Sequence, residues 1–123
     1  MLGKFVLCLS GGILTAYGLV CLFSPQLPAA YAGLAFTNGD ALPEIGAMYG
    51  GLQTGFGVFC LLGAAKTDYY RPALVLLMLC LGGLGLARCF WAFSGAEQVT
   101  GYTYGAMAFE YSTAILAAWA LRR

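Results

Sequence analysis

Four stretches of the chain are almost wholly apolar, at about residues 4–23, 44–63, 73–93 and 102–121, and polar residues gather between them. A helix of roughly 20 apolar residues crosses a bilayer. The pattern therefore predicts an all-α integral membrane protein, a single four-helix bundle in one domain. The stretch Glu44 to Gly63, EIGAMYGGLQTGFGVFCLLG, has the most to say about packing. Wound at 100° per residue, it puts Gly46, Gly50, Gln53 and Gly57 on one side, with Tyr49 and Cys60 beside them. Gly51 and Gly55 fall nearly opposite, in line with Glu44. Each face carries a small-xxx-small spacing, and in lipid a missing side chain lets two backbones approach closely. The expectation is a central second helix, packed on both sides through Gly46, Gly50, Gly51, Gly55 and Gly57. In the first segment Gly11, Thr15 and Gly18 form a narrow stripe suited to contact with it.

Composition strengthens the membrane assignment. Of 123 residues 61% are hydrophobic and 9% charged, and the mean hydropathy is +0.81. A soluble domain of that size needs far more polar surface. The net charge of +1 and the scattered basic residues exclude nucleic acid as a partner. Histidine is absent, and the five cysteines lie in apolar runs without a C-x-x-C pair. The expected metal and cofactor content is therefore none, with the cysteines acting as small buried hydrophobes.

The polar residues between the apolar runs set orientation. Lys4, Lys66, Arg71, Arg122 and Arg123 fall on one side, and neither loop on the other side holds a Lys or Arg. The positive-inside rule then puts both termini and the middle turn in the cytoplasm, as in a multi-pass protein of a bacterial inner membrane. Ala30-Tyr31-Ala32 resembles a signal-peptidase site, but the preceding apolar run is longer than the usual apolar core of a signal peptide, so residues 4–23 are taken as a membrane helix. The connection from Ser24 to Pro43 has an apolar middle, with Tyr31 and Phe36 suited to the membrane surface. It is a linker hugging the membrane or a lid over the mouth of the bundle.

Two ionisable residues interrupt the apolar segments, Arg88 in the third and Glu110 in the fourth. A charge at that depth is costly unless paired or hydrated. At about 1.5 Å of rise per residue, Arg88 lies roughly 8 Å below the outer end of its helix and Glu110 roughly 12 Å below the start of its own. That common level predicts an ion pair. Gly85 and Ala92 leave room beside Arg88. Glu110 shares a face with Thr103, Ala106, Thr113, Ala114 and Ala117, away from Phe109 and Trp119. Tyr49 and Gln53 reach a comparable depth, so the candidate cluster is Glu44, Tyr49, Gln53, Arg88 and Glu110. It is either a polar lock that fixes helix register or a pocket open to the outer side in which an acid meets a ligand or a proton.

The run Glu44-Ile45-Gly46-Ala47-Met48-Tyr49-Gly50-Gly51, with Arg88 late in the third helix and Glu110 in the fourth, resembles a family of small bacterial membrane proteins known only as a domain of unknown function. Members often carry an arginine where this chain has Gly46. The resemblance covers nearly the whole chain and implies no established activity. More distantly the chain is similar to four-helix families of the DoxX type, some of which accompany respiratory or oxidoreductase partners. Small multidrug transporters are a poor match, because their working acid lies in the first helix. Membrane glutathione-using enzymes of the eicosanoid type carry more polar residues within the membrane than this chain does.

These residues favour a non-enzymatic accessory or scaffold subunit that holds a lipid or other hydrophobic ligand near the outer-half cluster. Its expected partners are membrane lipid and either further copies of itself or a membrane partner subunit. One alternative is a small proton-coupled transporter using Glu110 or Glu44. The other is an enzyme acting on a lipid, which no metal site, nucleophile motif or phosphate loop supports.

Overall fold

The computed structural model describes residues 1–95 and 97–122. Among these residues it is all-helical. Helix α1 is Leu2–Phe23 and a short helix α2 is Gln26–Ala32. The long helices α3, Ala41–Ala65, and α4, Thr67–Ser94, come next, and α5 is Gly101–Leu121. Three of these, α1, α3 and α4, are long and apolar enough to cross a membrane; α5 has the length but is more polar. Large apolar side chains stand outward on all four long helices, among them Phe5, Val58, Leu86 and Ile115. A shell of that kind suits lipid rather than water, and the chain is a membrane protein.

Helix ends obey local chemistry. Helix α3 starts at Ala41, so Pro43 lies in its first turn, where a missing N–H costs nothing, and Glu44 sits at the positive end of the dipole. Helix α4 starts at Thr67, ahead of the expected residue 73. Lys66 alone, extended at φ −119° and ψ 128°, makes the reversal from α3, and Pro72 is carried inside α4. The connection after α1 is not an open loop. Its short helix α2 ends at Gly33, whose φ of 69° is left-handed, and the Leu34 N–H donates to the Ala29 carbonyl at 2.8 Å.

Both α3 and α4 contain a π-helical turn, at Gly46–Gly51 and Leu77–Leu81. Each turn widens the coil and rotates the helical segment before it relative to the segment after it. A uniform wheel therefore misplaces the residues before Gly50. Gly50 and Gly57 face α1, whereas Gly46, Gly51 and Gly55 meet no other helix. The expectation of a helix packed on both sides through these five glycines is corrected in that respect. Helix α3 packs along α1, touches α4 beside their turn and leaves its other face open. The element with neighbours on several sides is α1, which contacts α2, α3, α5 and the start of α4.

The α1–α3 contact has an internal symmetry. Residues 11–22 and 50–61 share the pattern Gly-Gly-x-x-Thr-x-x-Gly-x-x-Cys-Leu. The antiparallel helices bring the two copies together reciprocally. A methyl group on Gly18 would collide with Thr54 and the Gly50 carbonyl, and one on Gly57 would collide with Thr15 and the Gly11 carbonyl. Likewise Gly11 faces Cys60 and Leu61, and Gly50 faces Leu22. The buried hydroxyls of Thr15 and Thr54 have no hydrogen-bond partner among the described residues, so these side chains contribute shape rather than polar glue.

The apolar core fills one half of the molecule. Val6 and Leu7 of α1, Cys60 of α3, Leu74, Leu77 and Leu81 of α4, and Ala114, Ala117 and Ala120 of α5 meet there. At that end Lys4, Lys66, Thr67 and Tyr70 surround a surface depression of about 200 Å³. Arg122 ends the described chain, and Arg123 lies outside the described residues. The other half, above Leu14 and Leu81, is more open.

Candidate ligand site

The open half is organised by an ion pair between α4 and α5, its carboxylate buried and its guanidinium part-buried. The Arg88 Nη2 donates to Glu110 Oε1 at 2.7 Å, and Nε donates to Oε1 at 3.2 Å and to Oε2 at 3.0 Å. Such a fork is the strong form of a charge-assisted hydrogen bond. Glu110 is only 4% exposed, and Thr113 and Ala114 are buried on the next turn. Small residues opposite make this depth accessible. Gly85, one turn before Arg88, packs against Glu110 and Tyr111, and its carbonyl accepts a hydrogen bond from the Tyr111 hydroxyl at 2.9 Å.

Two cavities meet at Arg88. The first, about 420 Å³, lies among α1, α3, α4 and α5 and has Arg88, Glu110 and Gln53 on its wall with Tyr17 and Tyr102. Leu14, Leu81 and Phe109 supply much of its apolar surface. The second, about 580 Å³, lies between the α2–α3 connection and the helix ends remote from the α3–α4 turn, with Leu34, Tyr49, Trp91 and Thr103 on its wall. Leu84 and Arg88 border both.

The candidate residues thus divide. Arg88 and Glu110 are bonded, Gln53 shares their cavity and Tyr49 borders the adjoining one. Glu44 does not join them: it is exposed in the first turn of α3, outside both cavities. Phe109 points into the first cavity, contrary to the expected division of α5 into a small face and an aromatic one.

Sequence reasoning did not single out Tyr17, Tyr102 or Tyr111. The Tyr17 and Tyr102 hydroxyls are 3.4 Å apart across the cavity, and Tyr31 of α2 stacks on Tyr102 with ring centroids 6.5 Å apart. The connection after α1 is therefore docked on the start of α5. One signal was present: in the repeated pattern Tyr17 stands where α3 has Phe56, beside the glycine–threonine stripe. Among the described residues no cluster of three side chains suited to a metal ion is present.

Residues 2–121 match the model of a domain of unknown function, DUF4345. The chain belongs to this family. No curated protein and no solved structure matches it. DUF4345 membership spans α1 to α5, so both cavities and the ion pair lie within the family's domain.

Proposed function

We propose that this chain is a non-enzymatic subunit of a bacterial inner membrane, a four-helix bundle with both termini cytoplasmic, that holds a hydrophobic ligand beside Arg88 and Glu110. One observation carries the reading: a cavity of about 420 Å³, mostly apolar and with a few convergent polar groups, is the usual form of a small-molecule site. The orientation rests on the basic residues. Lys4 and Lys66 border one depression at the end opposite the ion pair, as the positive-inside rule asks of a cytoplasmic face. The ion pair doubles as a lock between α4 and α5, since removing one partner strands the other in an apolar setting. The open glycine face of α3, with Gly51 and Gly55, is where another copy or a partner subunit would sit closely.

Native mass spectrometry in mild detergent tests the reading, comparing wild type with Ala106→Phe, which places a ring in the first cavity. A small molecule retained by wild type and lost from the folded variant is the expected result. Equal retention by both proteins, or none by either, would remove the ligand-holding role.

A further inference from the structure

Resting on that reading, we infer that the ligand is an uncharged amphiphile whose head accepts hydrogen bonds through a carbonyl oxygen, with its apolar part along Leu14, Leu81 and Phe109. Charge is the first constraint. Arg88 and Glu110 cancel, and no other ionisable acid or base borders either cavity among the described residues, tyrosines aside. A ligand with its own charge would leave a net charge in an apolar space, and an anion would also face the Glu110 carboxylate. Both are costly where water is scarce. The site therefore selects for neutrality.

Hydrogen-bond inventory selects the head. A guanidinium has five N–H donors and no acceptor. Nε and one hydrogen of Nη2 are committed to Glu110, which leaves three without an acceptor among the described residues. Gln53 adds an amide with two N–H donors and one acceptor oxygen on the same wall, and the Tyr17 and Tyr102 hydroxyls share one contact at 3.4 Å. Donors thus outnumber what the protein satisfies. A carbonyl oxygen, with two lone pairs and no charge, is the group that answers them. Arg88 borders both cavities, so a head held there can leave its apolar part in the inner one.

Such chemistry is available from an ester-linked glycerolipid or from a prenylated quinone. Three photoreactive probes separate the cases: a monoacylglycerol and the matching free fatty acid, each with a diazirine in the chain, and a diazirine-bearing prenyl quinone. The whole protein in detergent is labelled and the modified peptides are mapped. Wild type should be labelled on the α1 and α5 segments around Leu14 and Phe109 at least tenfold more by one or both neutral probes than by the fatty acid at a pH where the acid is ionised. Preference for the monoacylglycerol would assign the glycerolipid, and preference for the quinone would assign the quinone. In Glu110→Gln, Arg88 keeps its charge without a counterion, so the order should invert in favour of the fatty acid. Fatty acid labelling of wild type equal to or above both neutral probes overturns the inference while leaving the cavity a ligand site. Absence of cavity labelling by all three overturns both the inference and the reading on which it rests. The wild-type comparison decides the matter even if Glu110→Gln does not fold.

Discussion

The α1–α3 seam and the α4–α5 seam solve the same problem of holding apolar helices together where water provides no drive. In the first, contact comes from absence: glycines stand opposite threonines and backbone, and the buried Thr15 and Thr54 hydroxyls bond to nothing among the described residues. In the second, contact comes from polarity: Arg88 is forked onto Glu110 and Tyr111 reaches the Gly85 carbonyl. Dispersion acts only at close range, so the first seam must be tight. Polar side chains reach further, so beside the second seam the helices can stand apart and leave a cavity. Space for a ligand is thus found where the helices are tied by long side chains rather than by close backbones.

The contrast can be broken from either side. The largest effect is expected at the polar seam, where Glu110→Ala leaves the part-buried guanidinium of Arg88 uncompensated in an apolar setting and should cost about 3–5 kcal/mol. Chemical unfolding in mixed micelles would measure it, and the double variant Arg88→Met with Glu110→Leu should recover most of the loss. If the single and double variants are equally unstable, the pair is not what holds α4 to α5. At the tight seam, Gly57→Val inserts three carbons against Thr15 and the Gly11 carbonyl and should cost about 3 kcal/mol, the upper part of the range for overpacking. The same unfolding assay applies, with Gly55→Val, on the open face of the same helix, as the comparison.

Tyr111→Phe removes one hydrogen bond to Gly85 and should lower stability by about 1 kcal/mol. A smaller change of opposite sign is expected at Thr54→Val. It replaces an unpartnered hydroxyl by a methyl of similar size, so stability should stay level or rise by up to about 1 kcal/mol. A clear loss in thermal melts of that variant would mean that the hydroxyl is bonded after all, and that the two seams differ less than their geometry indicates.

Much of the fold could be read from residues alone because the signals were local. The apolar runs, Pro43 beside a helix start and a lone basic and a lone acidic residue at one depth each carry their meaning within a few turns. The pairing of Arg88 with Glu110 was legible in the cost of either charge alone. The role of α3 was not legible in this way, and its glycines show why. Gly46, Gly50, Gly51, Gly55 and Gly57 are all suited to close packing, yet only Gly50 and Gly57 meet α1. A wheel orders residues around an axis but does not say which side has a neighbour. The turn at Gly46–Gly51 then shifts the register, so that Gly46 no longer shares the packed face of Gly50. The repeat shared by residues 11–22 and 50–61 held the missing information, because two matching stripes on antiparallel helices can interlock reciprocally.

The sequence by itself determined that this is a helical membrane protein, where its long helices run and which two charges must meet. Hydrophobicity, span length and the cost of an unpaired charge act residue by residue, so they can be read in one dimension. Only the tertiary structure decided which glycines are used, that Tyr17, Tyr102 and Phe109 face a common cavity, and that Arg88 borders two. Those are properties of the distances between helices, and a distance between helices depends on every side chain, present or missing, along both.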